Sequence, residues 1–282
     1  MERFFLDRGG ESKRMPKFRY DDLTWVEVRE AVAAKKAILV PIGSIEDHGP
    51  HLPLNTDNVI VEAVCFEAAR RAPDELLSLP VLPVGFEDHH MDFPGSLTSS
   101  METLLSFFAD AAISVARHGF THIMLVNGHG SNSSLVELAA RKAVLQTGAL
   151  VGAMAGNAAV DDVLIRDLVA AHRKSEYGGI GHACEFETAL MLYLRPDLVQ
   201  MDKAVRELGV PDLKYFNWDH PKPAAYAWMD WWSRFSKTGV AGDPTVATRE
   251  FGEKMFHATV ERLIELMREF KQIPIKPRRD WH

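Results

Sequence analysis

Two hydrophobic rhythms alternate along the chain. Short, nearly continuous apolar runs occur at 37–40 (AILV), 79–84 (LPVLPV), 121–126 (THIMLV) and 149–155 (ALVGAMA), and each predicts a strand. Between them, 58–72, 100–119 and 133–147 place apolar residues three or four apart, the spacing of a helix buried along one side. Asp57 or Asn58 is placed to cap the first of these, SMET at 100–103 resembles a capping box, and Gly119 and Gly148 fit helix ends. A helix over 20–34, capped by Asp21 or Asp22, precedes the first strand. Helices over 158–172 and 185–196 and a long one over 244–270 follow the last strand, with Pro196 stopping the second. Strands alternating with helices predict an α/β fold whose mostly parallel sheet is covered on both faces.

Residues 1–20 read as a polar arm, and 200–245 as an irregular excursion that holds Trp218, Trp228, Trp231 and Trp232. No linker separates these from the rest, so one domain over 1–282 is expected. The formal charge of −7 argues against nucleic acid as a partner, because such binding needs a basic surface. No apolar run has the length of a membrane span, and the charged N-terminus lacks a signal-peptide core, so no membrane partner and a cytoplasmic location are expected. Cys65 and Cys184 form no CxxC pair, which removes disulfide frameworks and thiolate zinc sites from consideration.

The chemistry concentrates in 41–57, PIGSIEDHGPHLPLNTD, directly after the first apolar run. Its acids and histidines are held in a loop stiffened by prolines, and Glu46, His48 and Asp57 are expected to ligate metal. Histidine-bearing loops also follow the second and third strands, at 87–96 and 127–132. In an open α/β sheet, ligands bind beyond the carboxyl ends of the strands, so these loops should converge. His129 and a carboxylate from 185–187 would complete the donor set. Histidine and carboxylate donors without thiolate suit zinc first, with manganese or iron as alternatives, and one or two ions per subunit. An aspartate can bridge two such ions.

Three segments in register, GSIEDHGPHLPLNTD at 43–57, NGHGSN at 127–132 and GHACEFET at 181–188, resemble the signature segments of the creatininase family of metal-dependent amidohydrolases. The resemblance covers roughly 35–195, and GVAGDPTVAT at 239–248 is similar to the family's C-terminal region. It implies a three-layer α/β/α sandwich, a site usually holding two metals, and a homo-oligomer, often a cyclic hexamer. By position it implies Glu46, His48, Asp57 (bridging), His129 and Glu187 as ligands, with Glu185 supporting them from outside. It implies His182 as the proton-transfer group. Enzymes acting on creatinine carry a glutamate where this chain has Ser131 and a tryptophan where it has Gly178, which implies a different small-molecule substrate.

Substrate contacts are expected from Ser131 and from His90, the latter drawn from the trio His89, His90 and Asp92. His51 is expected to be a structural donor, and the tryptophan-rich segment a stacking wall, contributed by this subunit or a neighbour. The reaction expected is metal-assisted hydrolysis of a C–N amide bond in a small cyclic molecule. Hydrolytic C–C opening of an inositol-derived cyclic diketone is the alternative, and a metal-dependent binder without turnover a more distant one.

Overall fold

The computed structural model describes residues 16–154, 165–209, 213–216, 219, 225–226 and 228–282. Four parallel strands, β1 (Ala37–Ile42), β2 (Leu76–Ser78), β3 (His122–Asn127) and β4 (Leu150–Met154), form one sheet in the order β2-β1-β3-β4. Three of the four follow the apolar runs. The second does not: LPVLPV forms no strand, and β2 lies just upstream in LLS. Pro80 and Pro83 lack the N–H groups a ladder needs, so 79–84 contributes only the isolated bridge Ile42↔Leu82.

Successive strand residues point to opposite faces, which divides the core in two. Ala37 and Leu39 of β1 and Met124 and Val126 of β3 pack with α2 (Thr56–Arg71), α5 (Arg166–His172), α6 (Glu185–Leu194) and α7 (Arg249–Phe270). Ile38, Val40 and Ile42 with Ile123 and Leu125 pack on the other side with α1 (Trp25–Ala33), α3 (Met101–Arg117) and α4 (Ser133–Thr147). The result is a sandwich of two helical layers around the sheet, as the alternating pattern requires.

Helix ends differ from expectation where local hydrogen bonding decided the matter. Asp21 and Asp22 lie in a single 3-10 turn, and α1 starts later, at a reciprocal capping box made by Thr24 and Glu27. Asp57 and Asn58 fall inside the first turn of α2, behind Asn55. Ser100 caps α3 by accepting from Thr103 N. Gly119 and Gly148 take the left-handed conformations expected at helix ends. The N-terminal arm at 1–15, residues 158–164 of the expected helix, and Trp218 lie outside the described residues. Among the described residues, no helix is long and apolar enough to cross a membrane.

The register of β1 and β3 matters most for function. Ile42 pairs with Asn127, so both strands end level, and Gly128 N donates to Ile42 O at 2.7 Å. The loops that follow are then tied together. Asn132 Nδ2 donates to Gly43 O at 3.1 Å while its Oδ1 accepts from Phe86 N at 3.0 Å, which joins the loops after β1, β2 and β3. Asn58 Nδ2 adds bonds to Ser44 O and Pro83 O.

The third motif is held by helix packing. At Gly252, α7 approaches α6 so closely that an added Cβ would lie 1.9 Å from Ala189 O. Gly252→Ala should therefore overpack this seam at a cost of about 1–3 kcal/mol. For a chain of this size that lowers the thermal midpoint by roughly 2–10 °C in calorimetry. An unchanged midpoint would mean that the two helices are not in such close contact.

Candidate metal centre

Asp57 occupies the middle of the site. It projects from the first turn of α2, where the helix dipole favours an anion. Its Oδ1 lies 3.2 Å from His48 Nε2 and its Oδ2 lies 3.1 Å from His129 Nδ1. Ser44 donates its hydroxyl to Oδ2 at 2.6 Å. One carboxylate thus faces two histidines, each with a different oxygen.

Acids surround that core. Glu46 Oε1 is 3.0 Å from His129 Nδ1, 3.9 Å from His48 Nε2 and 3.7 Å from His182 Nδ1, and its Oε2 is 3.2 Å from His90 Nε2. Glu187, from the first turn of α6, reaches to 3.9 Å of His48 Nε2. Glu87, from the loop after β2, lies 3.0 Å from His129 Nε2. All six of these residues, Glu46, His48, Asp57, Glu87, His129 and Glu187, are buried. The five residues expected as ligands are therefore brought together, and a sixth, Glu87, joins them unforeseen.

The donors fit a cation better than they fit one another. His48 Nε2, His129 Nε2, Glu46 Oε2 and both Glu87 oxygens are buried without a hydrogen-bond partner, although several stand 3.0–3.2 Å from an opposite group. Close contacts that lack hydrogen-bond alignment are what ligands of a common ion make, because their lone pairs aim at the ion. Among the described residues, five overlapping trios of donors each converge within 4.8 Å: Glu46–His48–Asp57, Glu46–Glu87–His129, His48–His182–Glu187, Glu46–His90–His182 and Glu87–His89–His90.

Electrostatics express the same crowding. Burial pushes the Glu46 carboxyl well up, and Glu87 and Asp57 add to that. Burial would raise Asp57 too, but His48 and His129 outweigh it and hold Asp57 well below the usual range. Burial opposes the charge on His48, yet Asp57 and Glu187 carry it up to about 9. His182 is driven the other way, well below its ordinary value, by burial and then by His48 and His90.

His182 has a fixed tautomer. Its Nε2 stands 2.7 Å from the carbonyl oxygen of Asp47, which can only accept, so Nε2 carries the proton and Nδ1 turns its lone pair toward Glu46. Paired bonds between His182 and Ala241 in the 239–248 stretch hold the backbone. Ala183 then turns with φ +49° into α6, an uncommon conformation for a residue with a Cβ. Asp47 also accepts from His90 Nδ1 at 2.6 Å, so one residue orients two histidines.

The remaining expected contacts take distinct places. His90 lies buried against Glu46 and Asp47, and its ring stacks on Trp232 with centroids 4.7 Å apart. Trp232 also sets its edge against His182 and donates Nε1–H to Gly239 O. The excursion therefore reaches the site through this buried residue, while Trp228 and Trp231 stay exposed. Ser131 meets His89, with Oγ 3.0 Å from Nε2. Asp92 is exposed and bonds Ser233. His51 bonds Thr188 at 2.8 Å, a structural tie between the first and third motifs. Glu185 accepts from Lys174 N and Ser175 N, both at 2.8 Å, and so braces a loop.

Comparison with known proteins agrees with this arrangement. The family model for creatininase, creatinine amidohydrolase, matches residues 21–267. The creatinine amidohydrolase of Pseudomonas putida is 31% identical over 266 residues, covering 88% of this chain and 95% of that protein. A mycofactocin precursor peptide peptidase from Mycobacterium ulcerans (strain Agy99) is 32% identical over 232 residues, covering 80% of this chain and 82% of its own. The 3-dehydro-scyllo-inosose hydrolase of Thermotoga maritima is 22% identical over 269 residues, covering 90% and 83%. Among solved structures, a Zn–Zn form of a creatininase variant and a manganese creatininase both superpose with TM-score 0.71 at 27% identity, covering 90% of this chain and 98% of theirs. With its sheet, its clustered donors and these matches together, the chain belongs to the creatininase family and is a metal-dependent hydrolase.

Proposed function

We propose that the protein hydrolyses a C–N amide bond of a small, cyclic substrate with a divalent ion, zinc first, held by Glu46, His48, Asp57, His129 and Glu187. The observation that carries this reading is the presentation of Asp57's two oxygens to two different histidines, each of which has a ring nitrogen left without a hydrogen bond. Two relatives above 30% identity also favour it, since an amidohydrolase and a peptidase both by name cut amide C–N bonds. Cyclic diketone opening is named only for a relative at 22% identity and stands second.

A bound ion supplies an acidified water and a polarised carbonyl. The chain's own residues supply the rest. With Nε2–H held by the Asp47 carbonyl, His182 offers Nδ1 to take a proton from the attacking water and to pass it to the leaving nitrogen. His90 is held by Asp47 and Trp232 at one side of this path, where it is proposed to contact substrate. Ser131, paired with His89, is proposed as the second polar contact. Trp232 closes the apolar side behind His182 and His90, which excludes water there. Ser131 and Gly178, which depart from the creatinine-cleaving pattern, support a substrate other than creatinine. A cytoplasmic homo-oligomer, in the form of a hexamer, and a single domain over 1–282 complete the proposal.

Turnover of cyclic amides, formamides, short peptides and cyclic ketones by zinc-loaded protein tests the reaction. Release of an amine supports the reading. Ring opening of a cyclic ketone without amine release would replace it with the second one, and ligand binding without product would refute both. His182→Gln should lower kcat by about 10²–10⁴-fold with metal content unchanged. Loss of the metal in that variant would make His182 a ligand rather than a proton carrier.

The two acids of the third motif should separate cleanly. Glu187→Gln is expected to lose bound metal in elemental analysis and activity with it. Glu185→Gln should keep the metal and lose about 1–3 kcal/mol of stability in denaturant unfolding, because a charged acceptor of two backbone N–H groups is weakened. The opposite pattern would exchange their assigned roles.

A further inference from the structure

Glu87 has no structural work to do where it lies. Its backbone N is satisfied by Thr98 Oγ1 at 2.9 Å, but its carboxylate is fully buried and neither oxygen has a hydrogen-bond donor. Glu185 offers the contrast within the same molecule: it is equally buried, and each of its oxygens accepts a backbone N–H. Burying a carboxylate without a donor is strongly unfavourable. A chain keeps such a group where something else meets the charge.

The surroundings point to what that is. Oε1 of Glu87 stands 3.0 Å from His129 Nε2 without the alignment of a hydrogen bond. Glu46, Glu87 and His129 each bring a ligand atom into one convergent trio. Space for the carboxylate is reserved by the backbone: at Gly85 an added Cβ would come 2.6 Å from Glu87 Oε1. Its loop is fixed to the other two by Asn132, so the placement is not that of a free surface acid.

The distribution of charge gives the reason for it. On the His48 side of Asp57, Glu187 supplies a further acid. On the His129 side, the second-motif loop brings no acid, since Ser131 follows the histidine and is engaged with His89. Glu87 fills that side from a different loop. We propose that Glu87 is a further metal-ligating carboxylate, acting with Glu46 and His129 on the side of Asp57 opposite Glu187. This rests on the reading of the cluster as a metal centre, and it makes the chain's donor set six residues.

The test compares wild type and Glu87→Gln for zinc uptake, by elemental analysis after desalting and by competition with a chromogenic chelator. Thermal midpoints are measured with and without zinc. Wild type is expected to retain zinc. Glu87→Gln is expected to lose an ion per subunit or to weaken its hold by at least about tenfold. Zinc should raise its midpoint less than it raises that of wild type. A packing residue would instead lower the midpoint in both states and leave the zinc-induced rise unchanged. Glu87→Asp, which keeps the charge on a shorter arm, should recover part of the zinc affinity. If wild type binds zinc and Glu87→Gln binds it with equal stoichiometry and affinity, Glu87 is not a ligand and the metal centre stands. If wild type takes up no metal, the centre itself is refuted, and Glu87 with it.

Discussion

Crowded carboxylates in a buried space govern this molecule. Glu46, Asp57, Glu87 and Glu187 are buried around two histidines, and Glu46 Oε2, both Glu87 oxygens, His48 Nε2 and His129 Nε2 have no hydrogen-bond partner. Burial of carboxylates in such a volume is strongly unfavourable unless a cation or a full set of donors meets them. Among the described residues, Ser44 donates to Asp57 and Cys184 N to Glu187, while Glu46 Oε2 and both Glu87 oxygens have no donor. A divalent ion is the group whose charge and directional demands match what is left. Metal dependence is thus a property of the folded chain and not an addition to it.

The sheet exists, in functional terms, to hold that crowding in place. Parallel strands ending level bring loops distant in sequence to one edge, and Asn58 and Asn132 lock those loops by side-chain bonds to backbone carbonyls. The histidines are then oriented from behind: Asp47 holds both His90 and His182, and Trp232 presses on both rings.

Much of this was legible in the sequence, for physical reasons. A strand buried on both faces must be apolar throughout, so β1 and β3 stood out as runs, the half-buried edge strand β4 was also apolar, and helices covering them showed their period. Loops rich in histidine and acid after those runs pointed to the correct edge. β2 was hidden because only three residues pair, and the more apolar segment beside it carries two prolines. Sheet order and the tying role of Asn132 depend on contacts between distant segments, which no local pattern encodes. Glu87 escaped notice because it precedes Asp88, His89 and His90, and an acid beside histidines in a loop is ordinary composition. Its one signal was position: it stands in the loop after β2, two residues beyond Gly85, which makes room for it. Trp232 was recognisable as one of several tryptophans, but only packing separates it from the exposed Trp228 and Trp231.

The most direct measurement is anomalous X-ray scattering above the zinc edge from crystals of the zinc-loaded protein. A metal centre here gives density in contact with Asp57, Glu46 and His48, at carboxylate oxygen distances of about 2.0–2.2 Å. An empty cluster, with His48 and His129 simply paired to Asp57 by aligned hydrogen bonds, would contradict it.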